Sequence, residues 1–131
     1  MENQPKHFDK WNKVKFRLHF ANNFPLIKEG QVWWCAVGEN IGAEINGKNK
    51  TFARPVVILR KLNSITFMGV PLTTKHHDGS WYVAFYFKNT SERAVLAQER
   101  VYSVSRLYDK IGMLSSSDLE LIRRGFRKLY F

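Results

Sequence analysis

The stretch "TFARPVVILR", residues 51–60, sets an arginine and a proline directly ahead of four consecutive apolar side chains. That run reads as the most buried strand of the chain, entered at "RPVVILRKL" (54–62). Pro55 is expected at a strand edge, because proline cannot donate to a sheet ladder. Arg54 poses a question at the mouth of this strand. Either it ends a loop and points into water, or a task holds it there.

Working outward, the texture on both sides is β-type. "QVWWCAV" (31–37) predicts a first strand, and the polar, glycine-bearing "GENIGAEINGKNKTFA" (38–53) a long loop. "ITFMGVPLTT" (65–74), "WYVAFYF" (81–87), "RAVLAQ" (93–98) and a short piece near "VYSV" (101–104) predict the remaining strands. The aromatic run at 81–87 reads as core and hairpin in preference to a stacking platform. Strands this short and evenly spaced suggest a small antiparallel barrel.

Two helices flank them. In residues 6–23, Phe8, Trp11, Val14 and Leu18 fall on one stripe with cations opposite, and Asn22, Asn23 and Pro25 stop the pattern. This stripe is expected to pack on the main body. At the other end Leu119, Ile122, Phe126 and Leu129 repeat at helical spacing, behind a capping-box pattern of Ser117 and Glu120. Gly125 inside that pattern weakens the helix or lets another backbone approach. The reading is mainly β with α, one domain over 29–131 and a helical extension over 1–28.

Hydrophobic residues make up 44% of 131, enough for one real core. No apolar run nears the ~18 residues of a membrane span, and "MENQPKHFDK" lacks signal-peptide order. The single cysteine, Cys35, reads as a buried strand thiol in a reducing compartment, so the cytoplasm is expected. Lys and Arg number 21 against 11 Asp and Glu, a net charge of +10 spread along the chain. A folded domain this basic meets phosphate or an acidic protein.

The acids are scattered, adjacent His76 and His77 would diverge on an extended loop, and no GK[ST] follows the loop glycines. No metal or other cofactor is expected. What is left is Arg, Lys, Thr and aromatics. Ribonucleic acid carries its own nucleophile, the 2′-hydroxyl, so a catalyst has only to align it, move a proton and stabilise charge on phosphoryl oxygens. Arginine suits the last task through its planar fork.

"GQVWWCAVGENIGAE", "RPVVILRKL", "PLTTK" (71–75), "LAQERVYSVSRL" (96–107) and "KIG" before a terminal helix occur in the order that resembles the MazF/PemK toxins of type II toxin–antitoxin modules. The resemblance runs from about residue 29 to 131. It implies an SH3-like small antiparallel β-barrel with a C-terminal helix, here with an added N-terminal helix, working as a homodimer. It also implies a metal-independent, sequence-specific endoribonuclease that cuts single-stranded RNA to 2′,3′-cyclic phosphate and 5′-hydroxyl ends, silenced by a cognate acidic antitoxin.

Carried over by position, Arg54 and Thr73 fall on the catalytic pair. Gly42 and Glu44, with Gln98 and Arg100, fall on segments that flank the RNA groove. Lys48, Lys50, Thr74 and Lys75 are read beside them as phosphate or groove contacts. Ala43 and Ile45 stand where serine and glutamine are common, and "KNKTF" lengthens the loop. The Arg54 and Thr73 side chains are expected to leave the core at the groove floor, so that exchanging them spares the fold. The carrier of the proton stays open. The N-terminal helix could extend the dimer interface or cover a barrel face. The rival readings are a gyrase poison of CcdB type, against which the tail "RKLYF" argues, and a non-catalytic single-strand RNA-binding module.

Overall fold

The strand at the centre of the sequence is also the centre of the sheet. In the computed structural model, which describes residues 6–131, β2 (Ala53–Lys61) lies between β1 (Gln31–Ala36) and β3 (Thr66–Thr73), antiparallel to both. Its apolar run is uninterrupted because both faces are covered. Val57 and Leu59 enter one core cluster, Val56 and Ile58 another. Alternate side chains of a strand point to opposite faces, so a two-sided strand has no polar position to spare. Pro55 is therefore not on an edge strand. It pairs with Trp34 on β1, and the ladder to β3 begins only at Val56 opposite Pro71, so its missing N–H breaks no bond to β3.

β4 (Tyr82–Phe87) and β5 (Thr90–Val95) form a hairpin whose two-residue turn, Lys88 and Asn89, has both residues at positive φ, the turn geometry that matches strand twist. The aromatic run on β4 is mostly not core. Only Phe85 is buried, while Trp81 and Tyr86 are exposed, because β4 is an outer strand. β5 ends at Val95, earlier than its sequence suggests, and a 3-10 turn at Leu96–Gln98 bends the chain into β6 (Arg100–Ser103). β3 thus pairs with β6 through Thr66–Gly69 and with β5 through Leu72 and Thr73 along the same edge. A second 3-10 turn, Val104–Arg106, leads into β7 (Leu107–Met113), which pairs with β1 and was not foreseen. Its exposed Asp109 and Lys110 and its Gly112 give it no strand signature.

The strand order is β4-β5-β3-β2-β1-β7, with β6 beside β3. The expected barrel is not closed by backbone pairing, since among the described residues β4 and β7 share no ladder. Their ends approach through side chains instead. Lys88 Nζ donates to Ile111 O, and a Cβ on Gly112 would lie 2.9 Å from the Phe87 ring.

The C-terminal helix α2 (Ser116–Tyr130) closes one core with Leu119 and Ile122, and Phe126 and Leu129 pack at its margin. Its cap is Ser115, whose Oγ accepts from the Asp118 amide at 3.1 Å, and not Ser117. Serine at N-cap with an acid at N3 is the same device two residues earlier. Gly125 accommodates side chains in place of another backbone, because a Cβ there would stand 2.6 Å from Val83 and 3.1 Å from Leu96.

The N-terminal helix α1 (Phe8–Phe20) covers a face of the sheet. Trp11 and Val14 are buried with Ala36 and Phe52, Leu18 lies at the margin, and Phe8 is 50% exposed and outside the contact. The Trp11 ring lies 5.6 Å from that of Phe52 and under the Arg106 guanidinium at 5.7 Å. Gly38, at φ +97°, makes room for it, since a Cβ there would sit 2.5 Å from the indole. Residues 1–5 of the extension expected over 1–28 lie outside the described residues.

Trp11→Ala is expected to cost about 3 kcal/mol, the usual lower range for removing a large buried aromatic. Thermal unfolding should show the loss, and amide exchange should show it concentrated in α1. Protection of α1 equal to the parent would mean that Trp11 does not hold the helix.

Candidate functional site

Arg54 is the second residue of β2, and its backbone is held opposite Cys35 of β1. Its side chain neither points freely into water nor stays in the core. Nε donates to Asn46 O at 2.8 Å and Nη1 to Leu72 O at 3.3 Å, so the loop and β3 grip the guanidinium from two sides. Burial holds its pKa below the ordinary arginine value, with the nearby Tyr102 ring opposing that shift. The remaining N–H groups of the fork stay available.

Thr73 ends β3 and is only 8% exposed. Its Oγ1 accepts from the Lys75 amide at 3.2 Å, which leaves its hydroxyl proton to donate elsewhere. Arg54 and Thr73 together line two adjoining clefts. One, of about 310 Å³, also has Trp34, Lys48, Thr74, Lys88 and Glu92 in its wall. The other, of about 220 Å³, has Lys75, His77, Tyr82 and Gln98. The pair therefore forms the sill between them. The expectation that both side chains stand clear of the fold needs correction, because Thr73 is buried and Arg54 satisfies two carbonyls.

Beyond the second cleft, Ile45 and Gln98 lead into a third concavity of about 570 Å³ lined by Glu44 and Arg100. Gln98 lies on the 3-10 turn and not in a strand. Its Oε1 accepts from the Ile45 amide at 3.2 Å and its Nε2 donates to Ala43 O at 3.5 Å, so it latches the loop. Glu44 is engaged within that loop, where Oε1 accepts from the Ile41 amide at 3.0 Å. Gly42, at φ +57°, is exposed at the loop tip, with its carbonyl held by Lys6 Nζ at 3.1 Å. Lys6 Nζ also donates to Asn40 O. Arg100 lies over the Tyr102 ring at 4.9 Å.

Of the residues named from sequence, Arg54, Thr73, Thr74, Lys48, Lys75, Gln98, Glu44 and Arg100 border this connected run of clefts. Gly42 and Lys50 do not; Gly42 stands at the loop tip and Lys50 lines a separate groove against α1. Three features of the clefts lie outside the site residues named from sequence. Trp34 is 41% exposed although its run QVWWCA is otherwise buried, and period-two alternation turns it toward the cleft. His77 and Tyr82 stack at 5.0 Å and 15°, while His76 turns away to Arg93 at 3.1 Å. Glu92 brings a carboxyl into the cleft of Arg54 and Thr73, and burial raises its pKa.

A family model for the PemK-like, MazF-like toxin of type II toxin–antitoxin systems matches residues 28–130. The chain belongs to that family. No curated protein matches it in sequence. Among solved structures, MazF from Deinococcus radiodurans is similar at a TM-score of 0.66 and 15% identity, over 80% of this chain and 96% of that one. An endoribonuclease in complex with its cognate antitoxin from a Mycobacterial species is similar at 0.58 and 18%, over 79% and 92%. A MazE–MazF structure from D. radiodurans is similar at 0.57 and 13%, over 80% and 95%. At these identities the likeness is one of fold.

Gln98→Ala removes both side-chain bonds to the loop. About 1 kcal/mol of stability is expected to go with them, and exchange of the Ile45 amide should rise while that of β2 stays slow. An unchanged Ile45 amide would show that the loop holds without this latch.

Proposed function

We propose that this member of the PemK/MazF-like family is the toxin of a type II toxin–antitoxin pair and cleaves single-stranded RNA. The observation that carries the reading is the meeting of Arg54 and Thr73 on the sill between two adjoining clefts. A strand crossing that sill would present its phosphate to the free N–H groups of Arg54 and to the Thr73 hydroxyl. Both donors are preorganised, Arg54 by two backbone carbonyls and Thr73 by the Lys75 amide. Donors fixed in advance stabilise developing phosphoryl charge without reorganising at the moment of reaction.

The 2′-hydroxyl oxygen attacks the adjacent phosphorus and the bond to the 5′-oxygen breaks; the 5′-oxygen leaves with a proton taken from solvent water, giving a 2′,3′-cyclic phosphate and a 5′-hydroxyl. Protonated Arg54 is a poor proton carrier, so its contribution is charge stabilisation. Glu92 is the carboxyl lining the same cleft as Arg54 and Thr73, and is assigned as the base that takes the 2′-hydroxyl proton. The route uses no metal ion, and among the described residues no three His, Cys, Asp or Glu side chains gather to hold one. An antitoxin partner is supported by the net charge of +10 and by relatives described with a cognate antitoxin or as MazE–MazF. We assign the working form as a homodimer in the cytoplasm, with residues 1–28 as an extension of the 29–131 unit. Among the described residues no helix is long and apolar enough to cross a membrane.

Incubation of the purified chain with a long unstructured RNA in EDTA should give discrete fragments with cyclic-phosphate ends. Intact RNA despite tight binding would instead identify a binding module. In single-turnover cleavage, Arg54→Ala should lose nearly all activity and Thr73→Ala on the order of 10²-fold. Arg54→Lys should keep most of the binding and lose most of the rate, because it lacks the planar fork. Arg54→Ala also orphans Asn46 O and Leu72 O, so a stability loss of about 1–3 kcal/mol is expected beside the loss of activity. Cleavage by Arg54→Ala at the parent rate would overturn the assignment.

A base must be ionised to act, so kcat/KM should rise with pH through the raised Glu92 pKa, above the ordinary glutamate range. Glu92→Gln should remove that acid limb and lower the plateau. A limb that survives the exchange belongs to another group.

A further inference from the structure

Lys50 led away from the reaction clefts, and the groove it lines has no part in the chemistry above. That groove, of about 500 Å³, runs between α1 and the 49–52 segment. Its walls carry Lys10, Lys13 and Arg17 from α1, Lys50 from the loop and His7, with no acidic side chain among the lining residues. Lys10, Lys13 and Arg17 stand at spacings of three and four, which places them on one helical face over about 10 Å of rise. All three are exposed, and among the described residues none is engaged in a salt bridge. The floor is Val14 and Phe52, both buried by the packing of α1 itself.

The groove adjoins the reaction cleft. Asn49 lines both, with Lys48 facing the cleft of Arg54 and Lys50 facing the groove. The α1 wall of the groove lies outside the family-matched residues 28–130, while Asn49, Lys50 and Phe52 lie within them.

We infer that α1 and Lys50 form a phosphate-binding track that extends the RNA site, holding the backbone of a single strand after it leaves the cleft of Arg54 and Thr73. The inference rests on the ribonuclease reading and adds a second, sequence-independent binding segment to it. Phosphate contacts by lysine and arginine give affinity without reading bases. An acidic protein segment fits the surface less well, because such a segment needs apolar anchors and the apolar residues here are already covered.

The test uses 2′-O-methyl oligouridine, which lacks the attacking hydroxyl, at about 6 and about 16 nucleotides, lengths that bracket a one-domain single-strand site. The parent chain should bind the longer oligomer at least tenfold more tightly. Lys10→Gln/Lys13→Gln/Arg17→Gln should lose most of that gain, and its log–log salt slope on the longer oligomer should fall by about 2, at ~0.7 per lost phosphate contact. Lys50→Gln, a change on a different element, should lose part of the gain, so a folding defect confined to α1 cannot imitate the result. Retention of the full length gain by both variants would overturn the inference. A parent that binds the short oligomer but gains nothing from length sinks this inference and leaves the ribonuclease reading standing. A parent that binds neither oligomer overturns the inference, and the cleavage assay in EDTA then decides the ribonuclease reading by itself. Should the triple variant lose affinity for poly-glutamate yet keep the RNA gain, the groove serves an acidic protein and the inference is wrong.

Discussion

The rest of the molecule depends on burying β2 on both faces. Val57 and Leu59 draw α2 onto one side, while Val56 and Ile58 share the other with Trp33, Cys35, Phe67 and Tyr102. A strand with two dry faces needs neighbours on both edges as well, since its peptide groups would otherwise be buried unpaired. β1 and β3 meet that requirement. The beginning of β2 is then fixed in space, and Arg54 stands there. Its side chain is set by the sheet and not by a mobile loop, which is the condition for placing charge to within a fraction of an ångström.

Arg54 in turn organises what lies around it. One bond reaches the loop at Asn46 and one reaches β3 at Leu72, so the guanidinium joins the two elements. The loop is held again by Gln98 from the 3-10 turn after β5 and by Lys6 ahead of α1. The charge that would bind phosphate and the loop that would border the strand are therefore positioned by the same side chain. Function and local stability are not separable at this residue, in contrast to the exposed cations Lys10, Lys13 and Arg17 of α1.

What could be read from sequence follows from where the physical signal is strong. The apolar run of β2, the helical stripe of α2 and the stripe of Trp11 and Val14 each bury a continuous surface, and all three appear as read. β7 was invisible because it is an outer strand whose polar Asp109 and Lys110 face solvent, so that backbone pairing to β1 alone defines it. Ser115 was passed over as cap for Ser117, because three serines in a row offer the pattern in more than one register. Closure of the sheet depends on how far the twist carries β4 toward β7, which no local pattern encodes. Arg54 and Thr73 were named through a resemblance carried by short blocks. Glu92 and the His77–Tyr82 stack belong to no such block, Trp34 sits in one as an apparent core residue, and only the fold brings them to the clefts. Lys48 and Lys50 look equivalent in sequence, yet the positive φ of Asn49 between them belongs to a tight turn that sends them to different surfaces.

Cys35 gives this architecture a built-in clock. The thiol is fully enclosed on β1, between β2 and β7, and burial pushes its pKa up to about 12. It belongs to the core shared with Ile58 and Tyr102 and not to the patch beneath α1. Helix α1 packs on a separate cluster, whereas the 38–52 loop lays Ile45 against the core that holds the thiol. Alkylation of the single thiol under native conditions thus counts the openings of that core and not the departures of α1. The time course of that modification measures the lifetime of the core beneath the loop, separately from the motions of the helix.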